Sequence, residues 1–170
     1  TGCAHLRTDK SHYAGTDEML AKADYSSAIN QIESAKNKAY TPKDRVVYFL
    51  DMGMLHHWNG DYQKSNEFLE QAERAIEENF TKSISRATSS LLLNDNALEY
   101  AGEDYEDIYL NAFKALNYLA LGLPDDAFVE VRRINNKIVL LEDKHERTAR
   151  TLNADEKARG TFQPGKNPFQ

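Results

Sequence analysis

Cysteine is almost absent from this 170-residue chain: the one copy is Cys3, so no intramolecular disulfide and no cysteine-based zinc site can form. Proline and glycine are scarce, at four and eight positions, too few for a linker-like or collagen-like chain. Long hydrophobic runs are missing too. Stretches such as Tyr118 to Leu121 and Ile138 to Leu141 stop far short of the roughly 20 residues that a membrane-spanning helix needs. Nowhere do apolar and polar residues alternate over a β-branched run, so no sheet is expected. Nucleophile-elbow and phosphate-cradling glycine motifs are absent. The only histidine pair, His56-His57, is adjacent in sequence, which on a helix points the rings about 100° apart rather than toward one metal. No catalytic residue, metal or cofactor is expected.

What is present suits a helical protein. Hydrophobic residues make up 41% of the chain and mean hydropathy is -0.69, enough apolar material for one domain or a short repeat array. The formal charge is -6. Residues 1–131 hold 12 basic and 22 acidic side chains, whereas residues 132–170 hold 9 basic and 5 acidic. An acidic chain is a poor match for phosphate backbones, so nucleic acid is not an expected partner. The basic residues near the end, Arg132, Arg133 and Lys137 among them, are interleaved with acids and read as a solvated helix face. The cluster Glu103, Asp104, Glu106, Asp107 reads as the N-terminal charge of a helix rather than a carboxylate pair for catalysis.

Three segments align without gaps. They open at Ala23-Asp24-Tyr25, Gly60-Asp61-Tyr62 and Gly122-Leu123-Pro124. Counted from Tyr25, Tyr62 or Pro124, small or apolar residues recur at offsets 0, 3, 7, 10 and 14. Steps of three and four put them on one helix face. Asp24 and Asp61 suit helix caps, and Pro124 suits a first helical position, where no N–H is needed. Upstream of Gly60, Phe49, Met52, Gly53 and His56 have helical spacing. A mid-helix glycine costs roughly 1 kcal/mol against alanine, so Gly53 predicts a close helix crossing near Ser65 to Ala72. Ala115 and Tyr118 occupy the corresponding places before Gly122.

This helix-turn-helix pattern resembles the tetratricopeptide repeat, with Gly53, Gly60-Asp61-Tyr62 and Ala72 as its best match. The third unit departs from it, with Asn111 and Lys114 where the family prefers Trp and Leu. The resemblance implies an all-α fold, a right-handed array of about three helical hairpins plus an inserted helical segment carrying Leu91 to Leu93, Ala97 and Leu98. Blocks at 100–106, 114–119 and 130–133 also resemble a largely uncharacterised family of bacterial repeat-containing lipoproteins. Thr1-Gly2-Cys3-Ala4 resembles the end of a lipobox, which implies acylation of Cys3 and a lipid anchor at the periplasmic face of the outer membrane.

The expected layout is a tether over 1–12, a helical domain over 13–159 and a loop or tail over 160–170. Helices are expected near 14–22, 25–39, 43–58, 61–79, 83–98, 104–121, 124–143 and 146–159. The leading functional reading is a non-enzymatic interaction module for a protein or peptide of the cell envelope. A cell-wall enzyme or peptidoglycan-binding accessory and a structural spacer stay open as alternatives. The repeat resemblance implies that first-helix residues line a concave groove: Val47, Leu50, Met54, His57 and Trp58 in the second unit, Tyr109 and Leu116 in the third.

Overall fold

A computed structural model describes Tyr13, residues 15–87 and residues 102–160. Among these residues there is no strand. The described residues form six α-helices, in chain order α1 (Thr16–Ala21), α2 (Tyr25–Ala39), α3 (Arg45–Trp58), α4 (Tyr62–Ala87), α5 (Asp104–Ala120) and α6 (Pro124–Gly160). A short 3-10 turn, Pro42–Asp44, leads into α3. The chain divides into two units, 1–134 and 135–170, with the boundary inside α6. In the second unit the described residues are the rest of α6, whose Val139 and Leu140 are exposed.

The three aligned turns share one construction. Ala23, Gly60 and Gly122 all take positive φ, at 55°, 81° and 75°. The next N–H in each turn reaches back five residues: Asp24 to Met19 O at 2.8 Å, Asp61 to His56 O at 2.9 Å, and Leu123 to Tyr118 O at 2.8 Å. This is the left-handed cap that closes a helix C-terminus, and it favours glycine because a Cβ is strained there. The caps expected of the next helices are partly present. The Asp24 side chain accepts from the Ser27 N–H. Asp61 instead accepts from Asn59 Nδ2 at 2.8 Å and lies 3.2 Å from His56 Nδ1, contacts that hold its carboxyl below the usual carboxylate range. Pro124 opens α6 as expected. The acidic start of α5 forms a capping box, with Glu106 accepting from the Glu103 N–H at 2.8 Å.

Two helix boundaries differ from expectation. Helix α4 runs through the break expected after residue 79, and α6 runs through the one expected near 144. Neither place holds glycine or proline, so continuing the helix costs little. Thr81 also bonds its own turn, Oγ1 donating to Glu77 O at 2.9 Å. The inserted segment, 88–98, lies outside the described residues, as do Cys3, the tether and the segment beyond Gly160.

Packing follows the offsets. Offset 3 is Ala28, Ser65 or Ala127, each buried. Offset 7 is Ile32 or Leu69, both fully buried, but Val131 is 49% exposed. One core cluster joins Ala28 and Ile32 of α2 to Tyr48, Met52 and Leu55 of α3. A second joins Val46 of α3, Leu69 and Ile76 of α4, and Leu110 of α5. Each such large side chain contributes about 1.5–3 kcal/mol by leaving water. The close crossing expected at Gly53 is present: a Cβ there would stand 2.6 Å from Leu69 Cδ2. Ser65 Oγ donates to Gly53 O at 2.7 Å and fixes the spacing of α3 and α4.

Candidate functional site

The residues expected to line a groove fall into two sets. Trp58, Tyr109 and Leu116 are exposed, at 55%, 59% and 52%. Val47, Leu50, Met54 and His57 are half-buried. Leu50, like Phe113, packs on the second core cluster, so part of its surface belongs to the core. His57 has its ring centroid 4.9 Å from Phe113 and 5.0 Å from Trp58. Trp58 thus stands on an edge-to-face aromatic cluster, one side supported and the other open to solvent. Tyr109 pairs instead with Tyr105 one turn earlier, and both are exposed.

On its other flank Trp58 borders a cavity of about 400 Å³ among α1, α2 and α3. Ile32, Met54 and Leu55 give it an apolar floor, and Tyr13, Tyr25 and Trp58 give it aromatic walls. Two carboxylates also line it, Asp17 and Asp51. The Asp51 carboxylate accepts from both the Tyr13 and Tyr40 hydroxyls, the latter at 2.7 Å, and those hydroxyls lie 3.1 Å apart. Burial first, then these hydrogen bonds, push both phenols well above their ordinary value of about 10. A raised phenol favours the folded state while protonated. That stabilisation is therefore complete below pH of about 10 and is lost as pH climbs toward the folded values. The melting temperature is expected to fall above pH of about 10, and to fall less steeply in Tyr40→Phe, as a thermal melt at stepped alkaline pH would record.

Inside, α4, α5 and α6 meet across a polar seam. Lys114 of α5 is 3% exposed. Its Nζ lies 3.0 Å from Glu73 Oε2 of α4 and 3.2 Å from Glu130 Oε1 of α6. Asn111, one turn earlier, donates from Nδ2 to the other oxygens of the same carboxylates, at 3.0 and 2.6 Å. Arg133 reaches Glu73 from the half-exposed rim at 3.1 Å. Two buried anions thus meet two cations. One turn after Lys114, Asn117 donates from Nδ2 to Ser65 Oγ and Asn66 Oδ1, both at 2.8 Å. Its Oδ1 lies 2.6 Å from His57 Nδ1, so that nitrogen carries the proton. The seam therefore ends at the aromatic cluster under Trp58. Sequence reasoning missed it, although Asn111 and Lys114 stood out as departures from the repeat pattern.

Among the described residues, no group of three or more His, Cys, Asp or Glu is placed to hold a metal ion, and no helix is long and apolar enough to cross a membrane. Compared with protein-family models, with curated proteins and with solved structures, the chain finds no match.

Proposed function

We propose that the chain is a tetratricopeptide-like, right-handed hairpin array serving as a non-enzymatic scaffold for a protein or peptide partner in the bacterial envelope. The observation that carries this reading is the apolar surface left open on the first helices of successive hairpins, Trp58 on α3 and Tyr109, Leu116 and Leu119 on α5. Large aromatic and aliphatic side chains held open in this way are typical anchors for a partner. The threefold recurrence of one turn supports the repeat, since stacked hairpins present their first helices side by side. Lipid attachment through Cys3 at the outer membrane rests on the lipobox-like Thr1-Gly2-Cys3-Ala4.

The test compares the lipidated full-length protein with its Trp58→Ala/Leu116→Ala variant in capture from envelope extracts. Both side chains are exposed, so melting should change little. Capture of a defined partner is expected to fall by about tenfold or more, a loss of about 1.4 kcal/mol. Undiminished capture would sink the groove assignment. Cys3→Ser in the same preparation is expected to move the protein from the membrane to the soluble fraction, and unchanged membrane association would remove the anchor.

A further inference from the structure

The cavity beside Trp58 has a chemistry of its own. Asp17 and Asp51 both line it, and no lysine, arginine or histidine does so among the described residues. The hydroxyls of Tyr13 and Tyr40 hold Asp51 as a hydrogen-bonded anion at the wall. An anionic guest would meet two like charges. A purely apolar guest would fill the floor but strip water from carboxylates and offer nothing in return, which is costly. A guest with an aliphatic stem and a cationic head meets both demands. Its stem would lie on Ile32, Met54 and Leu55, and its head would stand near Asp17 and Asp51. The aromatic walls suit it as well, because ring faces attract cations. The surrounding field has the same sign, with 22 acidic against 12 basic residues over 1–131.

We propose that this cavity receives a lysine or arginine side chain of the partner polypeptide that lies along α3 and α5. The assignment rests on the scaffold reading and adds to it the chemistry of the partner: a basic residue flanked by apolar ones. The volume, about 400 Å³, exceeds one side chain and leaves room for an apolar neighbour against Leu20 and Trp58.

Trp58 is the single tryptophan of the chain, so tryptophan fluorescence comes from a residue that lines this cavity. The ¹³C-methyl resonance of Met54 gives a second readout. Four small probes are titrated into the full-length protein: n-butylammonium and n-propylguanidinium for the two side chains, 1-butanol as neutral control, and butyrate as anionic control. At least one cation should bind saturably and about tenfold or more tighter than butanol, and butyrate should not bind. Whichever cation binds tighter identifies lysine or arginine. Asp17→Asn, at an exposed carboxylate, should weaken the cation about threefold or more without shifting the melt. Asp51→Asn should weaken it as well, but also disturbs Tyr13 and Tyr40, so Asp17→Asn is the cleaner variant.

A capped Leu-Lys-Leu peptide and its arginine analogue should each bind tighter than the matching small cation, and than spermidine. Butanol binding as tightly as either cation, no saturable cation binding, or no effect of Asp17→Asn would overturn the site. Spermidine outcompeting both peptides would overturn the polypeptide assignment in favour of a small polyamine. Cation binding together with undiminished partner capture by Trp58→Ala/Leu116→Ala would keep the cation cavity but reject the groove reading and, with it, a partner lying along α3 and α5, so the two failures are distinguishable.

Discussion

Lys114→Met is expected to cost about 3–5 kcal/mol of folding stability, read from a urea titration at neutral pH. The reason is the company the ammonium keeps. Glu73 and Glu130 are both buried, and Lys114 stands within 3.0 and 3.2 Å of them. Methionine keeps an unbranched, flexible stem one heavy atom shorter than that of lysine but removes the charge, leaving two desolvated carboxylates and only the rim cation Arg133. Asn111 can donate to them but cannot neutralise them. A buried ion pair is weak evidence of net stabilisation, yet losing one partner is severe because the other charge stays where water cannot reach it. A second substitution separates this cause from simple loss of packing. Glu130→Gln alone should destabilise, since it deprives Lys114 of a partner. In the Lys114→Met background the same change should recover part of the loss, because it removes the stranded charge. Such a reversal of sign is a coupling between neighbours. A cost of Lys114→Met below about 1 kcal/mol, or a Glu130→Gln penalty of the same size in both backgrounds, would contradict the network as described.

The seam also shows where the sequence is hard to read. Helical spacing in α2, α4 and α6 was legible because small and apolar residues at offsets 0, 3, 7, 10 and 14 have to share a face. The turns were legible because glycine at positions 60 and 122 marks a left-handed cap, and Ala23 adopts the same conformation without being glycine. The polar contacts were not legible in this way. Asn111, Lys114 and Asn117 look like solvent-facing residues, and nothing local tells that Glu73 and Glu130, 57 positions apart in the chain, close on the first two. One signal was available: polar residues at first-helix places where the repeat family carries large apolar ones, which implies either exposure or buried polar partners. The cavity was invisible for a related reason, since its aromatic walls and its two carboxylates come from three helices and from Tyr13. The breaks expected after residue 79 and near residue 144 were misjudged because neither place holds a glycine or a proline to stop the helix.

Gly53→Leu is expected to destabilise by about 3 kcal/mol, the upper part of the range for overpacking a filled core. Even a methyl group meets resistance, because the Cβ position lies 2.6 Å from Leu69 Cδ2 and 2.8 Å from Leu69 Cγ. Leu69 is fully buried, so its side chain has little free space to retreat into. The helices would have to separate instead. Separation would lengthen the 2.7 Å bond from Ser65 Oγ to Gly53 O, and Ser65 is also an acceptor for Asn117. The strain would therefore pass from the α3–α4 crossing into the polar seam at α5. Gly53→Ala isolates the first step. Alanine gains about 1 kcal/mol of helix propensity over glycine, so any net loss measures steric cost beyond that gain. Pairing it with Leu69→Ala should bring relief: the truncation alone costs about 2–5 kcal/mol, and it should cost less once Gly53 carries a methyl group to occupy the space. A Gly53→Leu protein that melts with the wild type would show that α3 and α4 do not cross as closely as Leu69 implies.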